Sequence, residues 1–281
     1  ASGIEVLWLV LGLLVGSWLN WHIVALRLRR YSERAEDALT IPAFLENRFQ
    51  DRTRLLRITS AIFILLFFLF YTSSGLVAGA RLFETVFSLP YLWALVAGTV
   101  AIILYTFFGG FLAVSWTDLV QGLLMAAALL IVPLYAFAEM GGIVDGFMRL
   151  QEVNPELLNA LTNNAGEPLG WIAIISLLGW GLGYFGQPHI LARFKAIRHH
   201  REMGTARRIA VGWTALTLLG SILVGVAAIG LLSEPLPEKE SERVFMLLVG
   251  VLFHPLVAGV LLAAVLAAIM STADSQLLVA S

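Results

Sequence analysis

Cysteine is missing altogether from the 281 residues, which excludes disulfides, thiol catalysis and thiolate-bound metal. Charge is nearly as scarce. Asp, Glu, Lys and Arg make up 13% of the chain, about half the share that covers a soluble domain. A formal net charge of −1 leaves no basic footprint for nucleic acid. The H-E-x-x-H, G-x-S-x-G and P-loop patterns do not occur, so the usual warrants for a metalloprotease, a serine hydrolase or an ATPase are absent. No repeat of 20–50 residues and no low-complexity tract is present.

Hydrophobic residues fill 59% of the chain, and they are not scattered. Every formal charge falls outside seven windows, 6–26, 58–80, 85–117, 119–138, 168–192, 209–233 and 244–273. Each matches or exceeds the roughly 20 residues that a helix needs to cross a bilayer core. The windows predict an all-α, multi-pass membrane protein with about seven transmembrane helices, near 5–26, 58–83, 91–114, 117–138, 170–188, 209–232 and 244–275. Pro90 opens the third at a position where a missing N–H costs nothing, and Gly109–Gly110 separates the third from the fourth. Trp93, Trp116, Trp171 and Trp213 fall near helix ends, as interfacial anchors do.

The loops set the orientation. Segment 27–57 holds eight arginines, and 193–208 holds six basic residues against one acid. Segments 139–167 and 234–243 are acidic instead. The positive-inside rule puts both basic loops in the cytoplasm, the N-terminus of this segment outside and its C-terminus near the cytoplasmic face. The chain opens on Ala1 rather than Met and stops after a motif-like run at Ser281, so a fragment of a longer protein is expected.

Chemistry concentrates in two stretches. Gly179-Trp180-Gly181-Leu182-Gly183-Tyr184-Phe185-Gly186-Gln187-Pro188 packs four glycines and a proline into ten residues, which opposes a continuous helix by about 1 kcal/mol per Gly and 3 for Pro. In a membrane, broken helix is tolerated where protein buries it or where it lines a wet cavity. A short, Gly-interrupted span is therefore a pointer to a transporter's binding site, with Trp180, Tyr184 and Pro188 spaced to share one face of a regular helix. The competing reading is close helix packing through the glycines. Farther on, Ala268 through Thr272 offers two hydroxyls, Ser271 and Thr272, and a backbone carbonyl one turn earlier. Such neutral oxygens suit a hard cation like Na⁺, by extension of the oxygen preference of other hard cations. Equally, Ser and Thr in membrane helices back-bond to their own turn or join helices.

Two further features stand out. Tyr71 opens a polar interruption, Tyr71-Thr72-Ser73-Ser74, in an otherwise apolar span, which fits either a cavity or a helix seam. Asp118 is the only charge between Glu84 and Glu139; an intramembrane acid is a functional candidate, and a helix N-terminus also favours a carboxylate.

These runs carry a resemblance. Ala38–Pro42 (ALTIP), Gly75–Glu84 (GLVAGARLFE), Gly109–Asp118 (GGFLAVSWTD), Gly179–Phe194 (GWGLGYFGQPHILARF) and Met270-Ser271-Thr272 resemble the sodium/solute symporter family, most of all its bacterial proline-carrying branch. The resemblance implies secondary active transport rather than an enzyme: sodium-coupled uptake of L-proline by alternating access across a bacterial plasma (inner) membrane, in contact with lipid and without nucleic acid. It implies a leucine-transporter-type inverted repeat. Residues 1–281 would then be one transporter domain holding core helices two to eight and lacking the first and the last two. Carried over by motif, Tyr71, Trp180, Tyr184 and Pro188 line the proline site; Ala268 (carbonyl), Ser271 and Thr272 bind Na⁺, and Asp118 belongs to a sodium pathway. Two alternatives remain at this point, a symporter for another small organic solute and a symporter-like membrane sensor module of a histidine kinase.

Overall fold

The computed structural model describes residues 3–36, 38, 40–232, 241 and 243–280; most of the acidic segment 234–243 lies outside them, as does Ser281. Among the described residues there is no strand, only an isolated bridge between Thr162 and Pro168. The helices are α1 (Leu7–Leu19), α2 (Leu26–Arg34), α3 (Ile41–Phe49), α4 (Leu55–Phe87), α5 (Tyr91–Glu139), α6 (Ile143–Val153), α7 (Trp171–Gly179), α8 (Pro188–Ala196), α9 (Met203–Leu231), α10 (Val244–Leu252) and α11 (Pro255–Ala280).

Among the described residues, five helical stretches are long and apolar enough to cross a membrane: Gly3–Arg34, Leu55–Phe87, Thr106–Glu139, His200–Leu231 and Pro255–Ala280. Two shorter apolar stretches, Tyr91–Leu104 and Trp171–Gly186, take the places of the other two expected spans. The second of these is shorter in residues than in reach. Nine residues of α-helix followed by seven of 3₁₀-helix extend about 27 Å at 1.5 and 2.0 Å per residue, against a hydrocarbon core of about 30 Å.

Several boundaries differ from the sequence reading. The first helix does not stop at residue 26; it passes through a π-helical turn, Asn20–Ala25, and continues as α2 to Arg34. Between the third and fourth expected spans only Gly110 leaves the helical conformation, at φ 57° and ψ −159°. That region suits glycine because it carries no Cβ. The expected last span, 244–275, is two helices. α10 ends at Leu252, Phe253 is extended, and Pro255 opens α11, where its missing N–H costs nothing.

The chain forms two compact units. The first comprises Ala1–Asn20, Met125–Tyr184 and Ala206–Leu262. Its core joins Ala136 and Phe137 of α5 and the following Met140 to Leu150 of α6 and Val226 and Ala227 of α9, with Phe137 stacked on Phe147 at 6.1 Å. The acidic segment after α5 is ordered: Trp8 Nε1 donates to the Ala160 carbonyl at 2.7 Å.

The second unit comprises Trp21–Leu124, Phe185–Thr205 and Ala263–Ser281. Its core gathers Ala25, Leu28, Phe194 and Met203, and the Trp21 ring meets Phe194 edge-on at 4.5 Å. Leu28, Ile41 and Phe44 anchor the arginine-rich segment to this core. Within ALTIP, Thr40 caps α3 by accepting from the Ala43 N–H at 3.2 Å, and Pro42 lies in the helix's first turn. Asp51 begins α4 by accepting from Thr53 and from the Leu56 N–H at 2.8 Å; the Thr53 hydroxyl above all, then the backbone bond from Leu56, hold its carboxyl below the ordinary range. Phe107 and Phe108 are 80% and 81% exposed, a pair of rings that water would penalise and lipid would not.

Candidate functional site

The glycine-rich run breaks its helix as its composition predicts. α7 ends at Gly179, residues Trp180–Gly186 wind as a 3₁₀-helix, Gln187 is extended, and Pro188 opens α8. No α-helix joins Trp171 to Gln187. At three residues per turn the i, i+4, i+8 spacing no longer aligns Trp180, Tyr184 and Pro188, so the shared face expected for a regular helix is not formed. Trp180 is 66% exposed and Tyr184 partly buried, both in the first unit. Tyr71 and Pro188 belong to the second. Tyr71 is 51% exposed, and its carbonyl accepts from Ser74 Oγ at 2.7 Å.

The serine–threonine pair lies on α11 in the second unit. Thr272 Oγ1 donates to the Ala268 carbonyl at 2.9 Å, and Ser271 Oγ approaches the same oxygen at 3.4 Å. Both are back-bonds of the kind that membrane helices use routinely, and they leave the hydroxyl lone pairs unspent. Three neutral oxygens are therefore gathered within one turn. The preceding Met270 instead lines a separate apolar cavity of about 400 Å³ with Leu76, Phe83 and Trp93.

One turn past Ser271, on the same face, Ser275 enters a polar cluster. Asp118 Oδ2 accepts from Arg193 Nη2 at 2.5 Å and from Ser275 Oγ at 3.3 Å, while the same guanidinium nitrogen donates to Ser275 Oγ at 2.6 Å. The cluster ties α5, α8 and α11 together inside the second unit. It borders a cavity of about 510 Å³ that is also lined by His189, Lys195 and Thr40. Lys195 Nζ donates to the Ala38 carbonyl at 3.2 Å. Asp118 Oδ1 and His189 Nδ1 are buried with no partner, so the cavity wall presents polar atoms open to a ligand or water.

Arg193, Ser275 and His189 were not singled out from the sequence as site residues. The signal for Arg193 was present: a lone acid in apolar surroundings needs a counter-charge, and Arg193 is the first formal charge after the window 168–192. Its place on an inward-facing turn of α8 is not readable from spacing.

Comparison with known proteins now decides the family. A model of the sodium:solute symporter family matches residues 1–281. The chain belongs to that family. Among its relatives, the sodium/proline symporter of Escherichia coli is 48% identical over 285 residues, covering 100% of this chain and 56% of that protein. The osmoregulated proline transporter OpuE of Bacillus subtilis is 48% identical over 280 residues, covering 99% of this chain and 56% of its own length. The high-affinity proline transporter PutP of the same organism is 47% identical over 282 residues, covering 100% and 59%. This symporter-family chain thus spans a little over half the length of the curated relatives it matches. Membership and the apolar helices together make it a multi-pass membrane protein.

Proposed function

We propose that the protein carries out sodium-coupled uptake of L-proline across the bacterial plasma membrane. The observation that carries this reading is the near-half identity, along the whole chain, to relatives named as sodium/proline symporters and proline transporters. The α-helix broken after Gly179 supports it, because an interrupted α-helix at membrane depth is a pointer to transporter binding sites. Proline is assigned to Tyr71, Trp180, Tyr184 and Pro188 by motif, and Na⁺ to the Ala268 carbonyl and the hydroxyls of Ser271 and Thr272. The step of one turn from Ser271 to Ser275, and from there to Asp118, supports a sodium route along α11 toward that carboxylate. The arginine-rich segments favour a cytoplasmic position for that end of the route.

No bond is made or broken in this scheme. One Na⁺ moving inward gains about 2.3 kcal/mol per 100 mV, and a tenfold sodium gradient adds about 1.4 kcal/mol. Their sum sustains a proline gradient of several hundredfold, on the order of what nutrient scavenging requires.

The test is proline uptake into proteoliposomes containing the full-length protein. The reading expects accumulation under an inward sodium gradient, none under an equal potassium gradient, and acceleration by an inside-negative potential. Proline binding without accumulation would favour the sensor reading. Accumulation of another solute that proline does not inhibit would move the substrate.

A further inference from the structure

Gly12 and Gly16 of α1 and Asn20 just after it recur at intervals of four residues, and all three meet the segment around Leu178–Tyr184 within the first unit. A Cβ on Gly12 would run into the backbone of Leu178, and one on Gly16 into the backbone of Gly181. The third rung is a hydrogen bond instead: Asn20 Nδ2 donates to the Tyr184 carbonyl at 2.9 Å.

The acceptor explains why an amide stands where the series has glycine. The Tyr184 carbonyl lies in the last turn of the 3₁₀ segment, where the i→i+3 bond falls to Gln187 and Pro188 has no N–H with which to extend the turn. Asn20 supplies a donor to that carbonyl from the neighbouring helix. A carbonyl only accepts, so the amide nitrogen faces Tyr184 and the amide orientation is fixed. The side chain is 1% exposed, and its Oδ1 is buried with no partner. An amide kept in so dry a place with one end unsatisfied costs stability, and its single bond goes to the candidate substrate segment.

We propose that Asn20 is a positioning residue for solute binding: by holding the Tyr184 carbonyl in the last turn of the 3₁₀ segment, it fixes the turn that presents the Tyr184 ring. The proposal rests on the reading of Tyr184 as a solute contact. Asn20 touches no solute in this scheme and acts through the backbone alone.

The test uses the full-length protein in proteoliposomes and reads the proline concentration for half-maximal uptake at saturating sodium. Asn20→Leu, which keeps the volume and removes the donor, is expected to raise it roughly 3- to 10-fold, the worth of one buried hydrogen bond. Asn20→Ala, which adds no bulk, is read in parallel in case the leucine variant fails to insert. In a Tyr184→Ala background, which removes the ring that Asn20 positions, Asn20→Leu is expected to add less than about twofold. Equal shifts in both backgrounds overturn the proposal, since Asn20 would then not act through Tyr184. A purely structural Asn20 would lower yield or melting temperature and leave the titration of the surviving protein unmoved, which also overturns it. Tyr184→Ala separates the two layers. If it weakens proline and the Asn20 variants do not, only the positioning role is lost; if Tyr184→Ala leaves proline unchanged, the assignment of Tyr184 to the solute site fails first.

Discussion

Asp118 and Arg193 form a pair of unequal partners: the carboxylate is 12% exposed and the guanidinium 49%. Removing one member of such a pair strands the other, whereas removing both strands neither. Arg193→Gln is therefore expected to lower the melting temperature of the full-length protein more than the double variant Asp118→Asn/Arg193→Gln does. The half-exposed arginine holds the coupling to about 1–2 kcal/mol, between surface and buried values. Additive losses in the cycle would mean that the two side chains do not stabilise one another. Asp118→Asn also removes the carboxylate at the end of the proposed sodium route, so half-saturating sodium for uptake is expected to rise. At this scale the sequence was partly legible. Asp118 stood out as a solitary charge, and the Ser271–Thr272 pair as a polar interruption. The residues that complete the cluster, Arg193 and Ser275, lie 75 and 157 positions away from Asp118, and no local pattern encodes a contact over that distance.

α1 approaches α7 and the 3₁₀ turn that follows it so closely that a Cβ on Gly12 or Gly16 would run into backbone. Gly16→Val is expected to destabilise the first unit by about 1–3 kcal/mol through overpacking. Gly183→Ala, at a position where an added Cβ meets nothing within 4 Å, is expected to leave thermal stability near that of the wild type. Equal melting temperatures for wild type and Gly16→Val would show that the seam is not packed as described. The start of α4 carries a pH dependence. The folded-state pKa of Asp51 is depressed below the ordinary value of 3.8, first by the Thr53 hydroxyl. Its contribution is therefore complete above the unfolded-state pKa and is lost as pH falls through the lower folded one. Hydrogen exchange at the first turn of α4 is expected to rise only below about pH 4, and Asp51→Asn is expected to abolish that step.

Charge-free windows located the membrane helices because hydrocarbon excludes charge, and the density of glycine located the break after Gly179. The same criterion hid the break at Phe253–His254, where an uncharged window continues although the backbone does not. It also ended the first helix too early, since helical hydrogen bonds run on past residue 26 into the arginines regardless of the medium. At the scale of the whole molecule the account is one of linkage. In the proposed reading, three neutral oxygens on α11 bind Na⁺ and sodium occupancy raises the affinity for proline, so each ligand would shift the other's binding by the same factor. Removing the Thr272 hydroxyl takes one oxygen from a site with no carboxylate among its assigned ligands. The measurement that tests this most directly is a titration of proline binding against sodium in the purified full-length protein, wild type beside Thr272→Ala. The account predicts a sodium midpoint displaced to higher concentration in the variant, with proline affinity reduced at low sodium and largely restored at high sodium. Overlaying sodium curves would contradict it and leave Ser271 and Thr272 as residues that only bond to their own helix.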